Sequence, residues 1–358
     1  YSSAASDVYK RQIPTWEQYD ENRTGGYGGL YGDVVNLTHP LGMVDDNLMK
    51  RYSDNVKIFA NAYVSVELMK GLKYKLNLTP DFQFYRYNSY EGLFDFGLAK
   101  HDITAVTEQQ TRTRNILVEN LLTFDRTFGD HKVSALVGYT YQDSRYRYMQ
   151  GSGQGMPTGI TEIDAASQGL AVSGNSSRSV LTSILGRAFY SYKNRYLLTA
   201  TIRRDGSSKF GSNYRYGNFP SVSVGWNIAE EDFVKNSVSW LDQLKLRGGY
   251  GVLGNQEIDN YQYVSVVTTG INYPDGKSGL IQGAFPKTFA NPDIKWEETA
   301  MTNVGIDASL LNGNLDFSFE FFDKRTSDIL RKVLMIRFVM QVRSVIKDLN
   351  LIWDGMSL

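Results

Sequence analysis

The chain has 358 residues and no cysteine, so it can build a large core or a long sheet wall, but neither a disulfide frame nor a thiolate metal site. Lys+Arg and Asp+Glu both total 38, so no basic excess points to nucleic acid. Mean hydropathy is negative and no run of 18 apolar residues occurs, so no transmembrane helix is expected. Membrane-crossing strands stay open as a reading, because only every second residue of such a strand needs to be apolar.

In chain order, residues 3–12 (SAASDVYKRQ) read as translated sequencing-adapter sequence, and 1–12 are set aside from fold reasoning. Residues 13–54 are irregular, with Gly25, Gly26, Gly28, Gly29 and Pro40, and with room for one short strand. A β-region is expected over 55–330. Val56, Ile58, Ala60, Ala62, Val64, Val66 and Leu68 form one face of a long strand, opposite Lys57, Asn61, Ser65 and Glu67 with Phe59 and Tyr63 among them. After a turn at Lys70-Gly71, Leu72, Tyr74, Leu76, Leu78, Phe82 and Phe84 alternate with Lys73, Lys75, Asn77, Thr79, Asp81 and Gln83.

The unit recurs. Asn115–Phe128 and Lys132–Asp143 flank Gly129-Asp130, and Val180–Tyr192 and Tyr196–Arg204 flank 193–195. Pro220–Ile228 and Leu244–Val252 flank a longer piece with room for a helical turn or two. Thr299–Leu311 and Leu315–Asp323 flank Asn312-Gly313, a pair suited to positive φ in a hairpin. Strands of thirteen residues exceed the soluble average of about 5–6. The links after 70, 128, 193, 229 and 311 are short, whereas 86–111, 144–178, 205–218 and 253–297 are long. Strict alternation of short and long links is the pattern of an outer-membrane barrel, with periplasmic turns and extracellular loops. Tyr190, Tyr192, Tyr196, Phe124, Phe128, Trp226 and Trp240 cluster at or near the short-link ends, where amphipathic rings suit the headgroup level. Residues 331–358 lose the alternation and the glycine-rich turns. They are expected to be a shifted reading frame, the alternative being a basic amphipathic tail.

Arg204–Gly211 (RDGSSKFG) and Phe219–Trp226 (FPSVSVGW) resemble the SusC/RagA group of TonB-dependent outer-membrane transporters of Bacteroidetes. LKLRGGYGVLGNQ from Leu244, NPDIKWE from Asn291 and TNVGID from Thr302 follow in the same order. The motif residues are Arg204, Asp205, Gly206, Ser207, Ser208, Phe210, Gly211, Phe219, Pro220, Gly225, Trp226, Gly254, Asn255, Gln256, Asn291, Pro292, Trp296 and Glu297. They are expected to be mainly structural. The resemblance implies an all-β fold, namely an antiparallel transmembrane barrel of the class with about 22 strands. About ten strands are legible, with no plug domain and no TonB box, so an open wall segment is expected.

The resemblance further implies import of oligosaccharides or peptides across a Gram-negative outer membrane, with no cofactor and no chemistry on the ligand. The implied partners are a SusD-like surface lipoprotein lid, the TonB–ExbB–ExbD complex acting through the plug, and outer-membrane lipid. The alternatives are a surface β-barrel adhesin and a soluble all-β binding domain. Ligand candidates are the loop aromatics Tyr146, Tyr148, Tyr214, Tyr216, Tyr261, Tyr263 and Tyr273, whose faces suit sugar rings or apolar peptide side chains. Their other reading is loop packing. Arg203, Arg204, Asp205, Lys209 and Arg215 form a charged cluster that either touches ligand or orders the loop by ion pairing. Gly249-x-Gly251-x-x-Gly254 matches a dinucleotide fingerprint but precedes no helical pattern, so its glycines are read as relief of crowding or as a bend where the strand leaves the wall. His39, His101 and His131 are not spaced as metal ligands.

Overall fold

A computed structural model of the chain describes residues 21–27, 41–96, 100–238, 240–274, 276, 279–286, 290–331 and the backbone of 344–354. The adapter stretch, residues 13–20 and 28–40 (with Gly28, Gly29, His39 and Pro40) and most of the tail lie outside the described residues. The strands are β1 (Met49–Phe59), β2 (Ala62–Met69), β3 (Leu72–Glu91), β4 (Phe94–Asp95), β5 (Lys100–His101), β6 (Ala105–Phe128), β7 (His131–Gln154) and β8 (Gln168–Tyr192). There follow β9 (Tyr196–Ser207), β10 (Tyr216–Asn227), a one-turn helix α1 (Asp232–Lys235), β11 (Leu241–Asn255), β12 (Val267–Pro274), β13 (Leu280–Pro286), β14 (Glu297–Leu310), β15 (Leu315–Ser327) and β16 (Ser344–Asp354).

The 12-stranded main sheet is an antiparallel meander in the order β1-β3-β6-β7-β8-β9-β10-β11-β14-β15-β16, with β2 also on β3. Its order is open: the two ends do not pair with each other among the described residues. Hairpins β4–β5 and β12–β13 occupy two of the long links. The expected strand over 56–68 is split at Ala60-Asn61. Ala60 N–H donates to Pro80 O at 3.1 Å, but Pro80 has no N–H to return the bond, so the ladder breaks there.

The strands are longer and the long links shorter than expected, and the alternation of link length is not strict: the link 228–240, expected short, is longer than 208–215, expected long. β6, β7 and β8 have 24, 24 and 25 residues, well beyond the 9–11 that cross hydrocarbon. Segments 86–91 and 168–178, read as loop, continue the ladder: 168–178 stays almost wholly exposed, as a strand can where water faces both sides, whereas 86–91 is held by the burial of Ser89 and Tyr90 in the first unit. The short turns carry the positive φ they require, +85° at Gly71, +57° at Gly129, +58° at Asn312 and +78° at Gly313. Strand β16 pairs with β15 from Thr326↔Ser344 to Asp316↔Asp354, in a tail for which no strand was expected. A free edge offers N–H and C=O groups that pair any extended segment, whatever its pattern.

By packing, the chain divides into Tyr1–Phe59, Asp81–Asn115 and Arg145–Ser177 as one unit, and Ala60–Pro80, Ile116–Ser144 and Arg178–Leu358 as the other. In the first, β1 lies on β3 with Ile58↔Phe82, Val56↔Phe84 and Asp54↔Arg86 in register. Its core is Tyr90, Val106 and Met156, with Ile163, Ala165 and Ala166 packed on it. Thr104 Oγ1 donates to Met156 O at 2.6 Å, and Gly159 N–H donates to the Tyr90 hydroxyl at 2.8 Å.

In the second unit the pairing register sorts residues onto two faces, because directly opposed residues share a face. Val222 lies between Ala200 and Tyr250, Val224 between Leu198 and Gly248, and Trp226 between Tyr196 and Leu246. Leu246 continues to Ile306 and Phe319, and Gly248 to Val304 and Phe321. This face is apolar and exposed, as a lipid-facing wall requires: Val64, Val222, Val224 and Val304 show 60%, 43%, 55% and 52% of their surface. Ile228, the last residue of the strand expected over Pro220–Ile228, instead starts a 3-10 turn after β10 and is half-buried. The sheet ladder ends at Asn227, whose N–H turns to Arg195 O at 2.7 Å.

Candidate functional site

The opposite face of the second unit is polar. Lys245, Arg247 and Gly249 on β11 oppose Asp307, Gly305 and Asn303 on β14, which in turn oppose Ser318, Glu320 and Phe322 on β15. Arg247 Nε donates to Asp307 Oδ2 at 3.0 Å, and Arg247 Nη2 donates to Glu320 Oε2 at 3.1 Å. Asn303 Nδ2 donates to Glu320 Oε1 at 2.8 Å, and Ser318 Oγ donates to Asp307 Oδ1 at 2.7 Å. Gly305 leaves the lane that the guanidinium occupies, since a Cβ there would lie 2.8 Å from Arg247 Cζ. A shallow groove of about 280 Å³ beside this network is lined by Phe189, Thr199, Ser223, Lys245, Arg247 and Asn303, among others. It offers two cationic groups, hydroxyls, an amide and one ring to a polar ligand.

Above this lane, toward the long links, four of the five motifs converge. Phe210, Phe219 and Trp296 form a buried cluster with Leu181, Val252, Ile258, Ile294 and Leu330 packed around it. The Phe210 and Phe219 rings sit 5.0 and 5.3 Å from Trp296, tilted and edge-on. Trp296 Nε1 donates to Arg215 O at 3.2 Å, so its one polar atom is satisfied. Ser207, fully buried, takes Lys209 N–H on its hydroxyl at 3.1 Å, and Ser208 Oγ takes Val180 N–H at 2.8 Å. Both serines order the loop.

The motif glycines make room for rings and backbone. A Cβ on Gly206 would strike the Tyr216 ring, and one on Gly211 would lie 2.9 Å from Pro292 O. Gly217 and Gly254 both lie against the Phe219 ring. Asn255 Nδ2 donates to Glu297 Oε1 at 3.2 Å, and Leu330 N–H donates to Glu297 Oε2 at 2.9 Å. Asn291 accepts Ile294 N–H on its carbonyl at 3.2 Å. Lys209 Nζ reaches Gln256 O at 3.5 Å. Pro220 and Gly225 lie within β10, with Gly225 between Leu197 and Lys245. Gly249, Gly251 and Gly254 all lie within β11, a strand, and their missing side chains face Asn303, Ser221 and Phe219.

In the charged cluster, among the described residues, only Arg203 and Asp205 form an ion pair, at 2.7 Å, while Arg203 Nη2 also donates to Ser183 Oγ at 3.0 Å. Arg204 lies over the Tyr216 ring at 5.0 Å. The candidate ligand tyrosines are dispersed. Tyr146 and Tyr148 sit on β7 in the first unit, where Tyr148 hydroxyl bonds Gln150. Tyr216 shares the face of Val222, Tyr214 is exposed in the preceding turn, and Tyr273 lies on β12 against Gly283. Tyr263 packs near Gly211. Tyr261, with φ +67°, takes Arg178 N–H on its hydroxyl at 3.1 Å. The lane around Arg247 was not singled out from sequence. Its signal was present in the alternate polar positions Lys245 and Arg247 and in Asn303 and Asp307 of TNVGID, but the partnership needs the register of three strands.

At the short-link end, the rings of His131, Tyr192, Tyr196 and Trp226 form a cross-strand series with centroids 4.9, 6.4 and 6.4 Å apart. Glu231, 8% exposed, closes it: it accepts Tyr196 Oη at 2.7 Å, Trp226 Nε1 at 3.0 Å and Arg195 Nη1 at 3.2 Å. Those hydrogen bonds from Tyr196 and Trp226 hold the Glu231 carboxyl below the usual carboxylate range. The ring series is what a headgroup-level belt requires.

The family model described as TonB dependent receptor-like, beta-barrel, matches residues 2–336. TonB-dependent receptor P39 of Formosa agariphila is 32% identical over 275 residues, 76% of this chain and 26% of that protein. TonB-dependent receptor SusC of Bacteroides thetaiotaomicron is 41% identical over 160 residues, 44% of this chain and 16% of that protein. The chain thus spans about a third or less of the length of these curated relatives. Among solved structures, one of the RagAB peptide transporter superposes with a TM-score of 0.76 at 24% identity, over 86% of this chain and 34% of its own, a likeness of fold. With an apolar face, a polar lane on the opposite face and an antiparallel meander of long strands, the chain belongs to the TonB-dependent receptor-like β-barrel family of the outer membrane.

Proposed function

We propose that the chain is a wall segment of a SusC/RagA-type importer that carries oligosaccharides or peptides across a Gram-negative outer membrane. The polar lane of Arg247, Asp307, Glu320 and Asn303, on the face opposite Val224 and Val304, carries this reading. Charged side chains that satisfy one another on one face of a sheet whose other face is bare hydrocarbon suit a water-filled lumen. The ligand passes this lane unaltered. The knot of Phe210, Phe219 and Trp296 anchors the bases of the long links, so that those links hold a fixed outline toward the outside. A SusD-like lipoprotein closes over them, and TonB–ExbB–ExbD supplies the energy through a plug. Loop aromatics such as Tyr214 and Tyr273, both exposed, contribute stacking surfaces.

The reading is supported by relatives named SusC and by the fold shared with the RagAB peptide transporter. The test is uptake by cells carrying the full-length gene that contains this segment, using fluorescent maltooligosaccharides and fluorescent oligopeptides in parallel. Accumulation of one class that disappears on deletion of tonB is expected. Surface binding without accumulation would replace import by adhesion.

A further inference from the structure

The first unit holds a groove that the import reading does not use. A cavity of about 440 Å³ is lined by the apolar Val56, Phe84 and Met149, by Arg86, Arg112 and Arg147, and by one carboxylate, Asp54, among others. Val56 and Phe84 are cross-strand partners and remain 53% and 39% exposed, so they belong to the apolar face of this unit. Arg86 is the next residue on that face after Phe84, about 7 Å farther along β3. Two same-face residues beyond it, Tyr90 is fully buried under the 155–167 link. The guanidiniums therefore stand at the boundary between bare apolar wall and covered loop.

Their charges are unequally satisfied. Arg86 pairs with Glu108 at 2.9 Å, and Asp54, the carboxylate lining the groove, takes the Tyr52 hydroxyl. Arg112 lies over the Phe84 ring at 5.5 Å, and neither it nor Arg147 has a carboxylate partner among the described residues. Two uncommitted guanidiniums above an exposed apolar floor match a ligand with an anionic head and a hydrocarbon body. Guanidinium groups favour phosphate oxygens because their fork of N–H donors fits them.

We propose that this groove binds a phosphate-bearing lipid of the outer leaflet, with Arg112 and Arg147 on the phosphate and an acyl chain against Val56, Phe84 and Met149. The assignment rests on the long links facing outward, as in the proposed function. The probe is spin-labelled phosphatidic acid, compared with spin-labelled phosphatidylcholine, on the full-length receptor in dioleoylphosphatidylcholine vesicles. Motionally restricted lipid is read by electron paramagnetic resonance.

A preference for phosphatidic acid of about fivefold for each guanidinium is expected, weakened by salt. The Arg112→Gln/Arg147→Gln variant should lose it, and the Arg112→Lys/Arg147→Lys variant should keep most of it. Equal preference in the wild type and the glutamine variant overturns the proposal. So does displacement of the lipid by inorganic phosphate at constant ionic strength, which would make the free anion the ligand. If the double glutamine variant does not insert, Arg147→Gln alone must still halve the preference or more. Lipid selectivity is measured without transport, so a receptor that selects the lipid but imports nothing fails only the import reading.

Discussion

Gly254→Ala in the full-length receptor tests whether the motif knot holds the long links by close packing. A Cβ at position 254 would lie 2.7 Å from Phe219 Cε2 and nearer still to the ring tip, against an ordinary separation of about 3.5–4.0 Å. The ring would have to retreat by about 1 Å or more. That retreat would press it onto Trp296, whose centroid is 5.3 Å away, or into the space that Gly217 leaves free for it, where the ring already occupies the place a Cβ would take. Overpacking of this kind costs about 1–3 kcal/mol. Expulsion of the ring, which is 6% exposed in place, would cost about 3–5 kcal/mol as an upper bound.

We expect about 2 kcal/mol, read as the shift in urea midpoint by tryptophan fluorescence in lipid vesicles. The decisive measurement is a double-mutant cycle with Phe219→Ala. With the ring gone, Gly254→Ala should become neutral or stabilising by about 0.5 kcal/mol, because alanine loses less backbone entropy than glycine in a strand. Equal cost in both backgrounds would refute the clamp and leave the glycine unexplained by packing.

Val64→Arg, on the exposed apolar face of β2, should cost about 2–4 kcal/mol in lipid, whereas Ser223→Arg on the polar face should be tolerated; the reverse order in vesicle folding assays would shift the register by one residue. Arg247→Met should cost about 1.5–3 kcal/mol by stripping Asp307 and Glu320 of their shared donor, and the same substitution with Asp307→Asn and Glu320→Gln should cost less, by equilibrium unfolding. The Glu231 carboxyl is held low in the folded state, so its contribution is full above an unfolded pKa of about 4.3 and fades as pH falls through the folded value; Glu231→Gln should flatten that acidic slope of the unfolding midpoint. The 358-residue chain expressed alone has an open sheet order and should self-associate by edge pairing; a monodisperse monomer on sedimentation would contradict the wall assignment.

Local chemistry made much of this wall legible. Period-two alternation gave the apolar face of Val56, Val64, Val222 and Val224, and Gly71, Gly129 and Asn312-Gly313 marked turns whose positive φ they supply. Both signals are written within a few neighbouring residues, since side-chain direction and φ are local properties. Sequence alternation failed for two different reasons: 168–178 extends β8 with water on both sides and little apolar pattern, while 86–91 extends β3 because Tyr90 is buried by a link whose position the sequence does not give. Pro80 was visible in sequence, yet its effect falls on Ala60-Asn61 across the ladder, which only pairing reveals.

The site belongs almost wholly to tertiary structure. Phe210, Phe219 and Trp296 meet because β9, β10, β11 and β14 are neighbours in one meander, and Arg247 finds Asp307 and Glu320 through the register of three strands. Neither partnership has a local signal, because each depends on contacts dozens of residues apart whose geometry is set by backbone hydrogen bonds between strands. The residue types stand in the sequence; the lane, the knot and the basic groove come into being only when the strands lie side by side.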